Sequence, residues 1–326
     1  MKKDLVNHLV CPNTKESLFI EIDEFDGDEI IKGCLKNKSK TYSYPILNGI
    51  PRFVEISNYA NNFGMQWNHF KKTQLDSFSG TTISKDRFWK STGWKAEEMK
   101  NKLVLDVGCG SGRFAEIALQ TGAIVFALDY STAVDAIKDN FSGFENLHLI
   151  QGDIYALPFN LESFDYVYSL GVLQHTPNVE KAFKSLPPVL KFGGKICVDY
   201  YEKSFLSLLL PKYWLRPITK NINQNMLFEF LKSNITTLLG ISRLFAKIPY
   251  LGKYLKRLVP VANYDGILPL NEKQMQEWAL LDTYDALSPQ YDNPQTSKTI
   301  FRWMQDCKLS NIEVFKPVHL CARGTK

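Results

Sequence analysis

At 326 residues the chain is long enough for one large domain with an addition, or for two small ones. Its 39 Lys and Arg against 34 Asp and Glu give a net charge of +5, too small by itself to argue for a nucleic-acid ligand, and its 44% hydrophobic content supports a packed core. No window reaches the roughly eighteen apolar residues of a membrane-spanning helix.

Residues 1–56 read as a small unit of their own. No apolar stretch of the kind a secretion signal needs follows Met1-Lys2-Lys3-Asp4-Leu5, and an acidic hairpin runs from Glu21 to Glu29. The next stretch, from Asn58 to Lys100, is rich in aromatics, with Phe63, Gln66 and Trp67 in one cluster and Arg87, Phe88 and Trp89 in another. Its plain reading is a helix pair packed on a sheet.

From Leu103 to about Glu202 the pattern changes. Leu103-Val-Leu-Asp106-Val107 is a buried strand cut short by Gly108, Gly110 and Gly112, and a helical pattern follows. Glycines there let the backbone approach a ligand, because no Cβ intervenes and positive φ costs little. A dinucleotide fingerprint places its third glycine one position later, where Arg113 stands, so a pyrophosphate is disfavoured. Asp106 suits an ammonium group better than a phosphate. Four more apolar runs follow: Ile124–Leu128 before Asp129, His148–Gly152 before Asp153, Phe164–Leu170 before Gly171, and Lys195–Tyr200 after Gly193-Gly194. Ser131 is placed to cap the helix after Asp129, Gly122 to end the helix after the glycine loop, and Leu186-Pro187-Pro188 to kink a helix. Nearly continuous apolar strands joined by helices imply a parallel sheet covered on both faces, with ligands at the strands' carboxyl ends.

Residues 203–264 differ in kind, with ten Lys or Arg and one acid, Glu229. Phe205–Leu210, Tyr213–Pro217 and Leu244–Arg257 read as short helices with basic faces. Such a segment is a lid over a pocket, a contact to an anionic membrane surface, or a solvated face. Leu281–Asp292, polar and aromatic, reads as a pocket-lining loop. Ser297–Lys308 reads as a helix. Ile312–Lys316 and Leu320–Gly324 read as a hairpin.

Asp106-Val-Gly108-Cys-Gly110-Ser-Gly112, with acids closing the next two strands, resembles the first motifs of the class I S-adenosylmethionine (SAM)-dependent methyltransferases. The resemblance implies an α/β fold: a Rossmann-like, doubly wound, mostly parallel seven-stranded sheet with a terminal antiparallel hairpin, plus a small β-rich N-terminal unit and a helical insertion. It divides the chain into 1–56, 57–202 (approach helices and core), 203–264 and 265–326. It implies SAM as cofactor, with S-adenosylhomocysteine as product, held by Asp106, Gly108, Gly110, Gly112, Asp129, Tyr130, Asp153, Ile154, Ser169 and Arg87. Asp129 would take the ribose diol, Asp153 and Ile154 the adenine, and Arg87 the methionine carboxylate. For any one acid, capping of the next helix is the alternative. His175 is the candidate general base, its alternative being to cap a turn with Thr176; Gln174 and Tyr168 are weaker candidates for orienting the acceptor.

Leu5–Pro12 and Tyr44–Pro51 also resemble the zinc-ribbon domain that accompanies or activates several methyltransferases. Thr14, Asn37 and Lys40 stand where that pattern has cysteines, so a metal-free remnant is expected, with no zinc. The function that follows is methyl transfer to a small-molecule, glycan or lipid-linked acceptor. The alternatives are an RNA methyltransferase, which the motif Ser169–His175 disfavours, and an inactive SAM-binding partner subunit. A cytoplasmic location is expected, peripheral at a membrane if 203–264 touches one.

Overall fold

A computed structural model describes residues 1–55, 58–204 and 210–326. The expected junction at 56/57 and the first part of the apolar run 205–210 lie outside the described residues.

A 3-10 turn (Lys3–His8) precedes strands β1 (Leu18–Asp26), β2 (Glu29–Asn37), β3 (Ser43–Leu47) and β4 (Ile50–Pro51). Helices α1 (Asn61–His69), α2 (Asp76–Ser79), α3 (Ile83–Thr92) and α4 (Ala96–Met99) lead to β5 (Leu103–Val107). Helix and strand then alternate: α5 (Ala115–Gln120), β6 (Ile124–Asp129), α6 (Ala133–Phe141), β7 (Leu147–Gln151), β8 (Phe164–Ser169), α7 (Val179–Lys184) and β9 (Leu190–Tyr200). Next come α8 (Pro211–Thr219), α9 (Gln224–Ala246), α10 (Gly252–Leu255), α11 (Glu272–Leu287), α12 (Ser297–Asp306), β10 (Ser310–Phe315) and β11 (Leu320–Thr325). The chain divides into two compact units, one of residues 1–71, 84–202 and 291–326, the other of 72–83 and 203–290.

The first unit carries a seven-stranded sheet in the order β10-β11-β9-β8-β5-β6-β7. β5, β6, β7, β8 and β9 pair in parallel, while β11 runs antiparallel to both β9 and β10. The expected fold is the observed one. Val104, Leu105, Val125, Phe126 and Val167 are wholly buried, which is why these strands lack the polar alternation of a one-sided sheet. Strand order reverses at β5, with β6 on one side and β8 on the other, and a crevice outside the carboxyl ends belongs at that reversal. Helix α7 stops at Lys184, so Pro187 and Pro188 end the helix there and do not kink it; a proline ring offers no N–H to continue the ladder.

Strands β1 to β4 form an antiparallel sheet in chain order. Phe53 N–H donates to the carbonyl of Gln151 at the end of β7 (2.8 Å), and Arg52 reaches Gln151 Oε1 and Asp135, both at 2.7 Å. Leu5, Leu9, Ile30 and Ile46 share one hydrophobic cluster with Phe126 and Phe159. Cys11 Sγ lies 3.2 Å from the Tyr44 hydroxyl, and Cys34 Sγ lies 2.8 Å from Ser43 Oγ. Among the described residues no group of three or more His, Cys, Asp or Glu stands where it could hold a metal ion.

The second unit is helical. Its spine is α9, 23 residues long, a helix the sequence reading passed over because it sought short basic ones. Leu227, Leu231, Ile235 and Leu239 recur every fourth residue and are buried, and the Asn223 side chain caps the first turn. The expected loop at 281–292 is corrected: as far as Leu287 it belongs to α11. Asn271 and Gln274 close a capping box at the start of α11, and Met275, Trp278, Leu281, Tyr284 and Leu287 are buried along it, so Asp282 and Asp285 are merely its polar positions. Arg243 of α9 is clamped by Asp265 (2.7 Å) and Glu272 (2.9 Å).

Candidate active site

Beyond Val107 the chain turns through Gly108, Gly110 and Gly112, all with positive φ (82°, 53° and 95°), a conformation that costs little only for glycine. Space adds a second requirement. A Cβ on Gly108 would stand 2.4 Å from Val172, one on Gly110 3.1 Å from the Trp67 ring, and one on Gly112 2.4 Å from Phe141. The loop is therefore closely packed by protein as well as being suited to a ligand. Gly108 N–H also donates to the carbonyl of Leu128 at 2.7 Å, tying the loop to β6.

The strand-end acids lie beside this loop. Asp129 accepts from Gly110 N–H (3.0 Å), Ser131 N–H (2.8 Å) and Ser131 Oγ (2.7 Å), and Ser131 Oγ accepts in turn from Ala133 N–H at the start of α6 (3.2 Å). Even so, burial raises the Asp129 carboxyl above its ordinary range. Asp153 opens a 3-10 turn that begins at Ile154 and accepts from Tyr155 N–H (2.9 Å); burial raises its carboxyl too. Asp106 is 2% exposed. Burial pushes its carboxyl up to about 8, although the Tyr168 hydroxyl donates to it at 2.9 Å. Ser169 Oγ donates to the carbonyl of Val107 (2.8 Å). The Tyr130 ring stacks on Tyr59 at 4.9 Å, and Tyr59 meets Tyr291 edge-on at 5.6 Å.

His175 closes a 3-10 turn (Leu173–His175) just past β8. Its Nδ1 is 3.0 Å from the carbonyl of Tyr291. A carbonyl only accepts, so in the neutral ring Nδ1 carries the proton and Nε2 carries the lone pair. Nε2 is buried without a hydrogen-bond partner among the described residues. Phe63 of α1 and Tyr201 pack on the imidazole, with ring centroids at 5.3 and 5.5 Å.

Arg87 is already engaged within the protein. Its guanidinium pairs with Asp199 of β9 at 2.7 Å, and Asp199 also accepts from Gly171 N–H. Two glutamines join these residues without a local sequence motif to announce them. Gln66 of α1 and Gln174 are fully buried, yet neither amide oxygen nor amide nitrogen has a partner among the described residues. Gln66 sits one turn beyond Phe63 on the same helix face. Beside it, Trp67 lies against Gly110. A glutamine flanked by Phe63, Trp67 and Phe70 is a readable signal: a polar residue on a face too apolar to be solvated.

Arg87 Nε, Ser111 Oγ and His175 Nε2 share this orphaned state with the two glutamines among the described residues; Ser111 follows β5, Gln174 and His175 follow β8, Arg87 pairs with Asp199 near the end of β9, and Gln66 is on α1 beside Trp67. Buried polar groups normally have partners, so a cluster of orphans marks the place of a polar ligand. Acids suited to a sulfonium, ammonium and diol on one side, with neutral amides and an imidazole on the other, fit SAM together with an acceptor.

A parallel sheet reversing at a glycine loop, with an acid closing each of the next two strands, is the arrangement expected of a methyltransferase domain. Residues 105–198 accordingly match the model of the methyltransferase domain family. The chain is 30% identical over 113 residues to the ubiquinone biosynthesis O-methyltransferase of Coxiella burnetii, covering 34% of this chain and 48% of that one. It is 31% identical over 147 residues to the sterol 24-C-methyltransferase ERG6 of Saccharomyces cerevisiae (43% and 37%). It is 35% identical over 134 residues to the tRNA U34 carboxymethyltransferase of Pseudoalteromonas translucida (37% and 41%). The chain spans less than half the length of these curated relatives.

Proposed function

We propose that the protein transfers a methyl group from SAM to a hydroxyl, amine or carbon of a small-molecule, glycan or lipid-linked acceptor. The observation that carries this reading is the buried Nε2 of His175, which has no hydrogen-bond partner among the described residues and is held as a lone-pair donor by the Nδ1 bond to Tyr291. SAM, when bound, supplies a methyl group already activated on a sulfonium. Asp129, Asp153 and the loop from Gly108 to Gly112 would hold its adenosine, and Asp106 its cationic end. The relatives include an O-methyltransferase, a C-methyltransferase and a tRNA carboxymethyltransferase, so the domain by itself leaves the acceptor open. In this chain His175 removes the acceptor's proton when that proton is too weakly acidic to leave unaided, as on a sugar or phenol. Gln66 and Gln174 orient the acceptor. Phe63 and Tyr201 pack on the imidazole and fix the plane of its ring. The N-terminal sheet serves as a metal-free structural cover over β7, a role supported by the hydrophobic cluster it shares with Phe126 and Phe159.

The test is a screen of phenols, quinols, sugars and lipid-linked glycans, and of RNA, for S-adenosylhomocysteine formation by the full chain. Turnover on a hydroxylated small acceptor that His175→Ala suppresses supports the reading. Turnover on RNA alone, or SAM binding with no acceptor found, overturns it in favour of the RNA or the partner-subunit alternative.

A further inference from the structure

The end of α9 and the short helix α10 pack together in a tight knob of the second unit that the site above does not use. From Leu244 to Leu258 the sequence is Leu-Phe-Ala-Lys-Ile-Pro-Tyr-Leu-Gly-Lys-Tyr-Leu-Lys-Arg-Leu, with four cations (Lys247, Lys253, Lys256, Arg257) and no acid. Leu244, Ile248, Leu251, Tyr254 and Leu258 are exposed, and Tyr250 is 95% exposed. Single exposed apolar residues need no explanation, whereas six within fifteen positions do.

The knob is built, not loose. Gly252 is buried, and a Cβ there would stand 2.3 Å from the carbonyl of Ala246. Gly252 N–H donates to the carbonyl of Ile248 at 2.9 Å, and Leu251 N–H to that of Pro249 at 2.7 Å. Tyr250 has a φ of 61°, strained for a bulky side chain, and the turn keeps it there with its ring in water. At the knob's base a cavity of about 300 Å³ is lined by Lys256, Arg257, Asn263 and Tyr264 together with apolar residues that include Val261 and Ile267.

We propose that this knob docks the protein on an anionic phospholipid surface. Charge and side-chain type select that occupant. Protein interfaces are poor in lysine, and three of the four cations here are lysines. Single-stranded nucleic acid favours aromatic platforms and Arg, whereas leucine and isoleucine dominate here. Tyrosine, with an apolar ring and a polar tip, suits the boundary between acyl chains and headgroups, and lysines beside it attract acidic headgroups. The cavity, with Lys256, Arg257 and Asn263 as donors in its wall, suits one such headgroup. The inference stands on residues 244–258 and the cavity, independently of the proposed methyl transfer.

The test is sedimentation of the full chain with vesicles of phosphatidylcholine alone or mixed equally with phosphatidylglycerol, at two salt concentrations. Binding is expected only with the mixed vesicles, weakened by salt, and reduced about tenfold or more in Tyr250→Ser/Leu251→Ser and in Lys247→Gln/Lys253→Gln. These positions are exposed, so an unchanged melting temperature is expected and checks that the variants are folded. Equal binding to both vesicles, no binding to either, or variants that bind like the parent overturn the proposal. So does a dimer in light scattering that Tyr250→Ser dissociates, which would assign the face to a second copy.

Discussion

The two sides of the cleft end of the sheet differ in how their polar groups are satisfied. Where β6 and β7 end, the acids are already partnered: Asp129 holds three donors and Asp153 caps a turn. Where β8 ends, the Gln174 amide and His175 Nε2 are buried with no partner among the described residues, and Gln66 of α1 is in the same state. The acid side is a preorganised cradle that the protein stabilises itself, whereas the β8 side is incomplete until a ligand arrives. A binding half and a reacting half would differ in this way, because groups that act on a substrate must keep a valence free.

The sharpest way to break the contrast is Asp129→Ala. It strands the Gly110 and Ser131 donors, so a loss of about 3 kcal/mol of stability is expected from unsatisfied buried groups, with SAM affinity falling at least about tenfold. Thermal melts and calorimetry measure both, and unchanged affinity in a folded variant would remove Asp129 from the cofactor site. His175→Ala leaves the acid side intact. SAM binding should persist while turnover on a hydroxyl acceptor drops about 100-fold, the scale of general-base catalysis. Equal turnover would make the imidazole a spacer.

A further effect comes through pH. Asp106 is raised from an ordinary 3.8 to about 8 by burial, so between those values the folded protein keeps a proton the unfolded chain has lost. Stability of the ligand-free protein therefore falls as pH rises through this window, by up to about 1.4 kcal/mol per pH unit, and levels off above it. Melting curves from pH 5 to 8 should show the fall, and Asp106→Asn should flatten it. A cationic ligand favours the carboxylate, so SAM affinity should rise with pH over the same range. The smallest expected change is Gln66→Met, which removes an unsatisfied amide at similar volume. It should stabilise the ligand-free protein by about 1 kcal/mol, near 2 °C in melting temperature, while weakening acceptor binding. Destabilisation instead would mean the amide is paired in solution.

Much of this was legible along the chain. Strands β5 to β9, the glycine loop, the acids closing β6 and β7 and the final hairpin each declare themselves within a dozen residues, since apolar period and turn chemistry are local. α9 and α11 were local too: Leu227, Leu231, Ile235 and Leu239 keep a four-residue step and Asn271-x-x-Gln274 is a capping box. The basic composition of one and the aromatic, acidic look of the other drew the reading away from their period.

What the amino-acid order determined by itself was the sheet and the placing of its carboxylates at one end, because alternating βα units and the right-handed crossover leave a parallel sheet little freedom. Only the tertiary structure decided that Arg87 pairs with Asp199, that the N-terminal sheet shares the cluster of Phe126 and Phe159, and that Gln66, Gln174 and His175 are buried with valences to spare. Pairing across a hundred residues and the loss of water around an amide are properties of the closed fold, set by which surfaces meet, and no local stretch encodes them.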